Sequence, residues 1–137
     1  MTSEFAIAVH TLVFLNHKGT HQNSDKIAEN VCTNPATIRK ILSKLKKAGL
    51  VETKEGSDGG FAFMLDPDKV SLDKVLEAVA DKPVAVSKRT GNIDLDCQIS
   101  SNMGFIMDQI YDMMNLACAQ RLSEITVSDI DKQIFEC

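Results

Sequence analysis

Nothing in the 137-residue sequence approaches the roughly 18 consecutive apolar residues that a membrane-spanning helix requires. The N-terminus also lacks a basic segment followed by an apolar run and a cleavage site, so no signal peptide is expected and the chain is placed in the cytoplasm. Tryptophan is absent and aromatic residues make up only 5%, although a hydrophobic content of 44% suffices for a core. The signatures of catalysis are missing too. There is no Walker loop, no nucleophile elbow and no histidine set against an acid near a candidate nucleophile, so the chain is not expected to be an enzyme. No histidine follows His21. His17, His21 and Cys32 are residue types that bind zinc, but the two histidines straddle Lys18-Gly19 and fall in a loop rather than on one helical face. No metal site and no cofactor are expected. The four cysteines, Cys32, Cys97, Cys118 and Cys137, are reduced by default in a cytoplasmic protein and do not read as a disulfide framework.

What is present is concentrated in residues 34–61, NPATIRKILSKLKKAGLVETKEGSDGGF. Asn34 suits an N-cap, because its side chain can accept from the free amides of a first helical turn. Pro35 follows at the first helical position, where its missing N–H costs nothing. Ile38, Ile41, Leu42, Leu45 and Ala48 recur at helical spacing as one apolar face. Arg39, Lys40, Lys44, Lys46 and Lys47 occupy the other, with no acid on that helix to neutralise them. Gly49 stands where a left-handed residue stops a helix. Two short strands, 50–53 and 61–65, flank the Gly-rich turn 55–60. A capped basic helix followed at once by such a hairpin is what a winged helix-turn-helix needs, with the helix in a major groove and the hairpin on the neighbouring backbone or minor groove. A solvated basic helix beside an ordinary hairpin is the competing reading of the same residues.

The net charge of −4 disfavours nucleic acid only superficially. Residues 1–60 carry eight basic and six acidic side chains, residues 61–137 seven and thirteen, and the segment 39–54 six basic residues against Glu52 alone. Local potential governs attraction to phosphate, so the acidic second half is expected to face away from DNA.

The chain reads as one domain with an appendage. Residues 2–16 form a first helix with Phe5, Ala8, Val9, Leu12 and Leu15 inward. Ser24 caps a short second helix over 25–31, and Cys32-Thr33 turns into the basic helix, completing a helix-turn-helix. Ser71 caps a helix over 72–80. Residues 81–96 have no sustained period and read as a linker or mobile loop. From about Ile99 a long helix carries two apolar stripes, Ile99/Met103/Ile106/Ile110/Met113/Ala117 and Met107/Tyr111/Met114/Cys118, which suits pairing with another chain. Ser128 caps a last helix over 129–135. The expected fold is mainly α with a small β-hairpin wing: a winged helix-turn-helix DNA-binding domain over 1–80, a linker or sensor loop over 81–97, and a long dimerisation helix with a C-terminal helix over 98–137.

Four segments, SDKIAENV, IRKILSKLKKAGLVE, GSDGGF and DKVSLDKVLEAV, make the chain resemble the family of small bacterial winged-helix regulators that includes IscR, NsrR and CymR. The resemblance covers nearly the whole length. It implies a homodimer paired through the long helix, binding double-stranded operator DNA and mostly repressing transcription. The DNA-contacting positions it implies, together with the basic face, are Asn34, Ala36, Thr37, Arg39, Lys40, Lys44 and Lys54. Arg39 and Lys40 would read guanine edges or flanking phosphates. The family's wing runs arginine-glycine-x-x-glycine-glycine-aromatic. Here Gly56, Gly59, Gly60 and Phe61 match but Glu55 replaces the arginine, so Lys54 or Lys88 would have to supply that contact.

Cluster-binding relatives carry three closely spaced cysteines between the wing and the dimerisation helix, and this chain has Cys97 alone there. An iron–sulfur cluster, which takes about four converging ligands, is therefore not expected. Cluster-free members imply instead a thiol switch through Cys32 and Cys97, sensing oxidants or electrophiles. Two alternatives keep the fold: control by a partner protein or small molecule without redox sensing, and an interaction module that no longer binds DNA.

Overall fold

The basic helix is where the spacing puts it, and α1, α2 and α4, whose ranges follow, pack against it. A computed structural model describes residues 1–136; Cys137 and any role for it lie outside the described residues. In chain order the elements are α1 (Glu4–Lys18), α2 (Ser24–Val31), α3 (Pro35–Lys47), β1 (Glu52–Lys54), β2 (Gly60–Ala62), a 3₁₀ turn (Pro67–Lys69), α4 (Leu72–Ala78), α5 (Gln98–Leu122) and α6 (Val127–Phe135). The core is almost wholly aliphatic. Ala8, Leu12 and Leu15 from α1, Ile27 from α2, Ile38, Ile41, Leu42 and Leu45 from α3, Val75 from α4 and Val127 from α6 are fully buried.

Four helix starts show which capping residues engage the backbone. Asn34 caps α3 as its type suggests, its carboxamide oxygen accepting from the Thr37 amide at 2.8 Å. The second helix is capped by Asn23, which accepts from the Lys26 amide at 2.8 Å, rather than by Ser24, which is the first helical residue. The last helix is capped two residues earlier than expected: Thr126 and Asp129 form a reciprocal capping box, and Ser128 is buried inside the helix. Ser71 holds the N-cap position of α4 but points at the Asp73 carboxylate instead of a backbone amide.

The hairpin pairs Glu52 with Ala62, Thr53 with Phe61 and Lys54 with Gly60 in antiparallel register, later in the chain at its first strand and shorter at its second than the apolar pattern suggests. A third segment steadies it. Gln22, just before α2, exchanges both backbone hydrogen bonds with Phe61 at 2.9 and 2.8 Å. That close approach needs glycine at position 60, where φ is +139° and a Cβ would sit 2.3 Å from the Gln22 carbonyl oxygen. Gly60→Ala is therefore expected to cost more than about 1 kcal/mol and to lower the melting temperature. An unchanged melting curve would mean that the hairpin can detach from Gln22 at no cost.

The C-terminal helix returns to the N-terminal body. Val127 donates to the Val70 carbonyl at 3.0 Å and Leu72 to that of Ile125 at 2.8 Å, seating α6 beside α1. The long helix α5 behaves differently: none of its 25 residues is buried. Residues 81–96 form no regular element, yet they are tied along α5. Asn115 accepts from the Val84 amide at 2.8 Å and donates to its carbonyl at 3.0 Å, Arg89 pairs with Asp108 at 2.9 Å, and Asn92 donates to the Ser100 carbonyl at 3.0 Å. Composition reports the irregularity of this segment but carries no signal for those ties.

Candidate nucleic-acid interface

The amphipathic pattern of α3 decides what the helix can present. With Ile38, Ile41, Leu42 and Leu45 buried, the residues left on the outer face are Ala36, Arg39, Lys40, Ser43, Lys46 and Lys47. A helix of 13 residues is about 20 Å long and fits a major groove about 12 Å wide. Asn34, Ala36, Thr37, Arg39 and Lys40 cluster in its first turn and a half, and of these Thr37 is half-buried. Among the described residues no acid lies within ion-pair distance of Arg39, Lys46 or Lys47.

Two of the expected cations are in a different situation. Glu4, from the first turn of α1, accepts from Lys44 at 3.1 Å and lies 3.2 Å from Lys40. Lys44 also donates to the Val79 carbonyl at 3.5 Å and is only 31% exposed, whereas Lys40 is 65% exposed. Lys44 thus ties α3 to α1 and α4, and its charge is already matched. Glu4 is the residue that reading along the sequence misses. Its one local signal is an acid in a first helical turn, which says nothing of a partner forty residues away.

The hydrogen bond from Lys44, and then that from Lys40, holds the Glu4 carboxyl below its ordinary value of 4.5. A carboxylate depressed in the folded state contributes stability above its unfolded value, and that stability is lost as pH falls through the folded one. The triad should therefore weaken below about pH 4.5. Glu4→Gln is expected to lose roughly 0.2–1 kcal/mol per ion pair at neutral pH and to flatten the acid limb of a stability-against-pH curve. Parallel acid limbs for the two proteins would rule out Glu4 as the titrating group.

Beside α3, Lys54 and Glu55 are exposed at the start of the wing turn, and Asp58 stands near its tip. Glu52 on β1 lies 3.7 Å from His21. The wing therefore presents acids as well as Lys54, unlike the helix.

The thiols fall on separate elements. Cys32 is exposed in a left-handed conformation at the end of α2, with φ of 61°. Its Sγ donates to the carbonyls of Glu29 at 3.7 Å and Asn30 at 3.9 Å. Its sulfur therefore faces the carbonyl end of α2. Cys97 is exposed at the N-cap of the 25-residue α5. No cap hydrogen bond forms in full, but the backbone amide of Ser100 and then that of Ile99 hold its thiol below the ordinary cysteine value of 9.0. That is the placement expected of a reactive thiolate.

A capped cationic helix, a preceding helix at a tight turn and a glycine-dependent hairpin now stand together. Residues 1–133 match the family model described as Rrf2, iron-dependent transcriptional regulator. The chain belongs to the Rrf2 family. It is 25% identical to the HTH-type transcriptional regulator YwnA of Bacillus subtilis over 135 residues, 98% of this chain and 99% of that one. It superposes on a transcriptional regulator from Lactobacillus plantarum with a TM-score of 0.84 at 24% identity, covering 98% and 91% of the two chains. CymR of B. subtilis, described as its global cysteine regulator, aligns with a TM-score of 0.68 at 18% identity over 97% and 96%. The winged-helix fold and a role in transcription regulation through DNA binding follow from the family. No described helix is long and apolar enough to cross a membrane.

Iron, named in the family's description, finds no matching donor set among the described residues of this Rrf2 chain. Cys97 and Cys118 lie on one helix 21 positions apart, about 31 Å at 1.5 Å per residue, and Cys32 is on another element. No group of three or more His, Cys, Asp or Glu side chains converges on one point among those residues. A cluster takes about four converging ligands, so the donors of one chain do not fit it.

Proposed function

We propose that the protein is a cytoplasmic, dimeric repressor that binds operator DNA through α3 and releases it when Cys97 is oxidised. The observation that carries the DNA half is the outer face of α3, cationic and unmatched at Arg39, Lys46 and Lys47 while its other face is sealed in the core. Asn34, Ala36, Thr37, Arg39 and Lys40 enter the major groove. Lys54 reaches the backbone from the wing, with Glu55 holding the tip away from phosphate. Lys44 acts from behind, setting the tilt of α3.

Dimerisation rests on the α5 face left uncovered by its own chain, where Ile99, Ile106, Ile110 and Met113 are 40–74% exposed. Of the two stripes, the second is half-buried at Met107, Tyr111 and Cys118 and exposed at Met114, whereas the first is half-buried only at Met103 and is the more open to a partner.

The redox half follows the asymmetry of the two thiols. The Cys97 thiolate attacks hydrogen peroxide, the O–O bond breaks, and sulfenic acid forms with loss of hydroxide that is protonated to water. The Cys32 thiol of the second copy then attacks that sulfur, forming S–S and releasing a second water. Closure requires the two Cα atoms within about 7 Å. Recognition helices spaced for half-sites about 34 Å apart would be displaced, and DNA released. In a non-reducing gel after mild peroxide, wild type is expected to give a covalent dimer and lose operator binding. Cys97→Ser and Cys32→Ser are each expected to give neither. A covalent dimer that persists in Cys97→Ser rejects this chemistry.

A second reading, control by a partner protein or small molecule on the same fold, is favoured by one observation. The Cys32 thiol donates to the carbonyls of Glu29 and Asn30, so it is already engaged within its own chain. Operator binding indifferent to peroxide in wild type would select it.

A further inference from the structure

Arg39, Lys40, Lys46 and Lys47 are exposed on α3, and among the described residues only Lys40 of these four stands within ion-pair distance of an acid. Ser43 marks the middle of that outer face. Counted from it at about 100° per residue, Lys40 lies about 60° and Lys44 about 100° around the axis, on the same side. Glu4 bridges the two. The carboxylate therefore draws the Lys40 ammonium toward one edge of the helix, away from the surface that enters a groove. We propose that Glu4 is an internal competitor for Lys40, holding that ammonium in the free protein and surrendering it to operator DNA, so that an acid on α1 lowers the affinity of the dimer. This role presupposes that α3 is the DNA-contacting helix, as proposed above, and adds a determinant from outside it.

The two lysines are unequal, and that makes exchange feasible. Lys44 donates to both Glu4 oxygens, at 3.1 and 3.3 Å, and to the Val79 carbonyl at 3.5 Å. It is mostly covered, so it stays and balances the carboxylate. Lys40 lies 3.2 Å from one of those oxygens and is largely exposed. It can swing into solvent without leaving Glu4 unmatched. An exposed pair of this kind is weak, and a phosphate or a guanine edge can replace it.

Glu4, by contrast, is not free to follow. Its amide donates to the Thr2 hydroxyl at 3.2 Å. The Thr2 amide and hydroxyl in turn donate to the Asp81 carboxylate at 3.0 and 3.1 Å, just beyond α4. The N-terminal residues are thus clamped to the body, and the Glu4 side chain is only 20% exposed. When DNA draws Lys40 away, the acid remains at the edge of the helix. One ammonium then has two fixed anions to choose between.

The test is a double-mutant cycle on the full-length protein with Glu4→Gln, Lys40→Ala and both together, read as operator dissociation constants at one salt concentration. Glu4→Gln is expected to tighten binding about 2–25-fold, the worth of one exposed ion pair in each of two copies. In the Lys40→Ala background the same substitution is expected to change nothing. Damage to the fold weakens DNA binding, so a merely structural role for Glu4 does not produce the gain. An equal gain in both backgrounds would make Glu4 a source of general repulsion and overturn the competition. Weaker or unchanged binding by a folded Glu4→Gln protein would overturn it as well. If Arg39→Ala and Lys40→Ala both leave operator affinity unchanged, the reading of α3 itself fails, and the competition with it. A second arm uses the wild-type protein without DNA, treated with limiting sulfo-N-hydroxysuccinimidyl acetate and analysed by mass spectrometry. Lys40, which must leave Glu4 to react, is expected to acetylate at least about twofold more slowly than Lys46 and Lys47. Equal rates at the three lysines would show that Glu4 does not hold Lys40, whatever the stability of the Glu4→Gln protein.

Discussion

The Ile106→Asp/Ile110→Asp double variant is expected to sediment as a folded monomer and to lose operator binding by a factor of about 10²–10⁴. Both isoleucines are 40–43% exposed in the single chain and neither belongs to the core, so aspartate there meets water in the monomer. In a paired seam the same carboxylates would be removed from water without partners, at a cost of several kcal/mol. The equilibrium then shifts to monomers with little loss of helix content by circular dichroism. Each monomer still carries an intact α3, so binding to a single half-site survives. What disappears is the effective concentration that one bound half confers on the other. If the double variant remains a dimer, α5 is not the seam; if it unfolds, α5 is part of the fold rather than of an interface.

That separation of roles within one chain explains what could be read in advance. The α3 helix was legible because every determinant is local: Asn34 as cap, Pro35 at the first position, a 3.6-residue apolar period and Gly49 in the left-handed region at φ +76°. The same period finds Ala8, Leu12 and Leu15 on the buried face of α1, but Phe5 and Val9 are only half-buried while Thr11 and Val13, off the expected stripe, are buried. Boundaries failed where two residues of similar type compete for one role. Asn23 wins over Ser24 because the residue just outside the helix has the extended backbone a cap requires, and Thr126 wins over Ser128 because Asp129 completes its capping box.

Long-range pairings were not legible at all. Glu4 with Lys44, Gln22 with Phe61 and Asn115 with Val84 join segments 31–40 residues apart. No periodicity records such a pairing. The consequence for the site is specific: counting cations along α3 overstates its free charge, because α1 returns an acid to Lys40 and Lys44. The apolar excess on α5 was visible, whereas which of its residues the chain itself half-covers was not, since that depends on where residues 81–96 lie.

Operator affinity is expected to fall by roughly 10³–10⁵ between 50 and 200 mM salt if the dimer neutralises about 6–10 phosphates. Within that total the residues of α3 should divide. Lys46 and Lys47 lie in the last turn, beyond the end that enters the groove, and their unmatched ammonium groups suit phosphate contacts. Lys46→Ala should weaken operator and random DNA about equally and reduce the salt slope by about one. Arg39 stands one turn from the Asn34 cap with no acid in reach, where a guanidinium can address guanine O6 and N7 together. Arg39→Ala should therefore cost about 1–3 kcal/mol on the operator and much less on random sequence, leaving the salt slope nearly unchanged. Equal losses on both DNAs, with a slope reduced by one, would make Arg39 a backbone contact. Base reading would then fall to Asn34, Ala36, Thr37 and Lys40, the other residues on the leading turns of the helix.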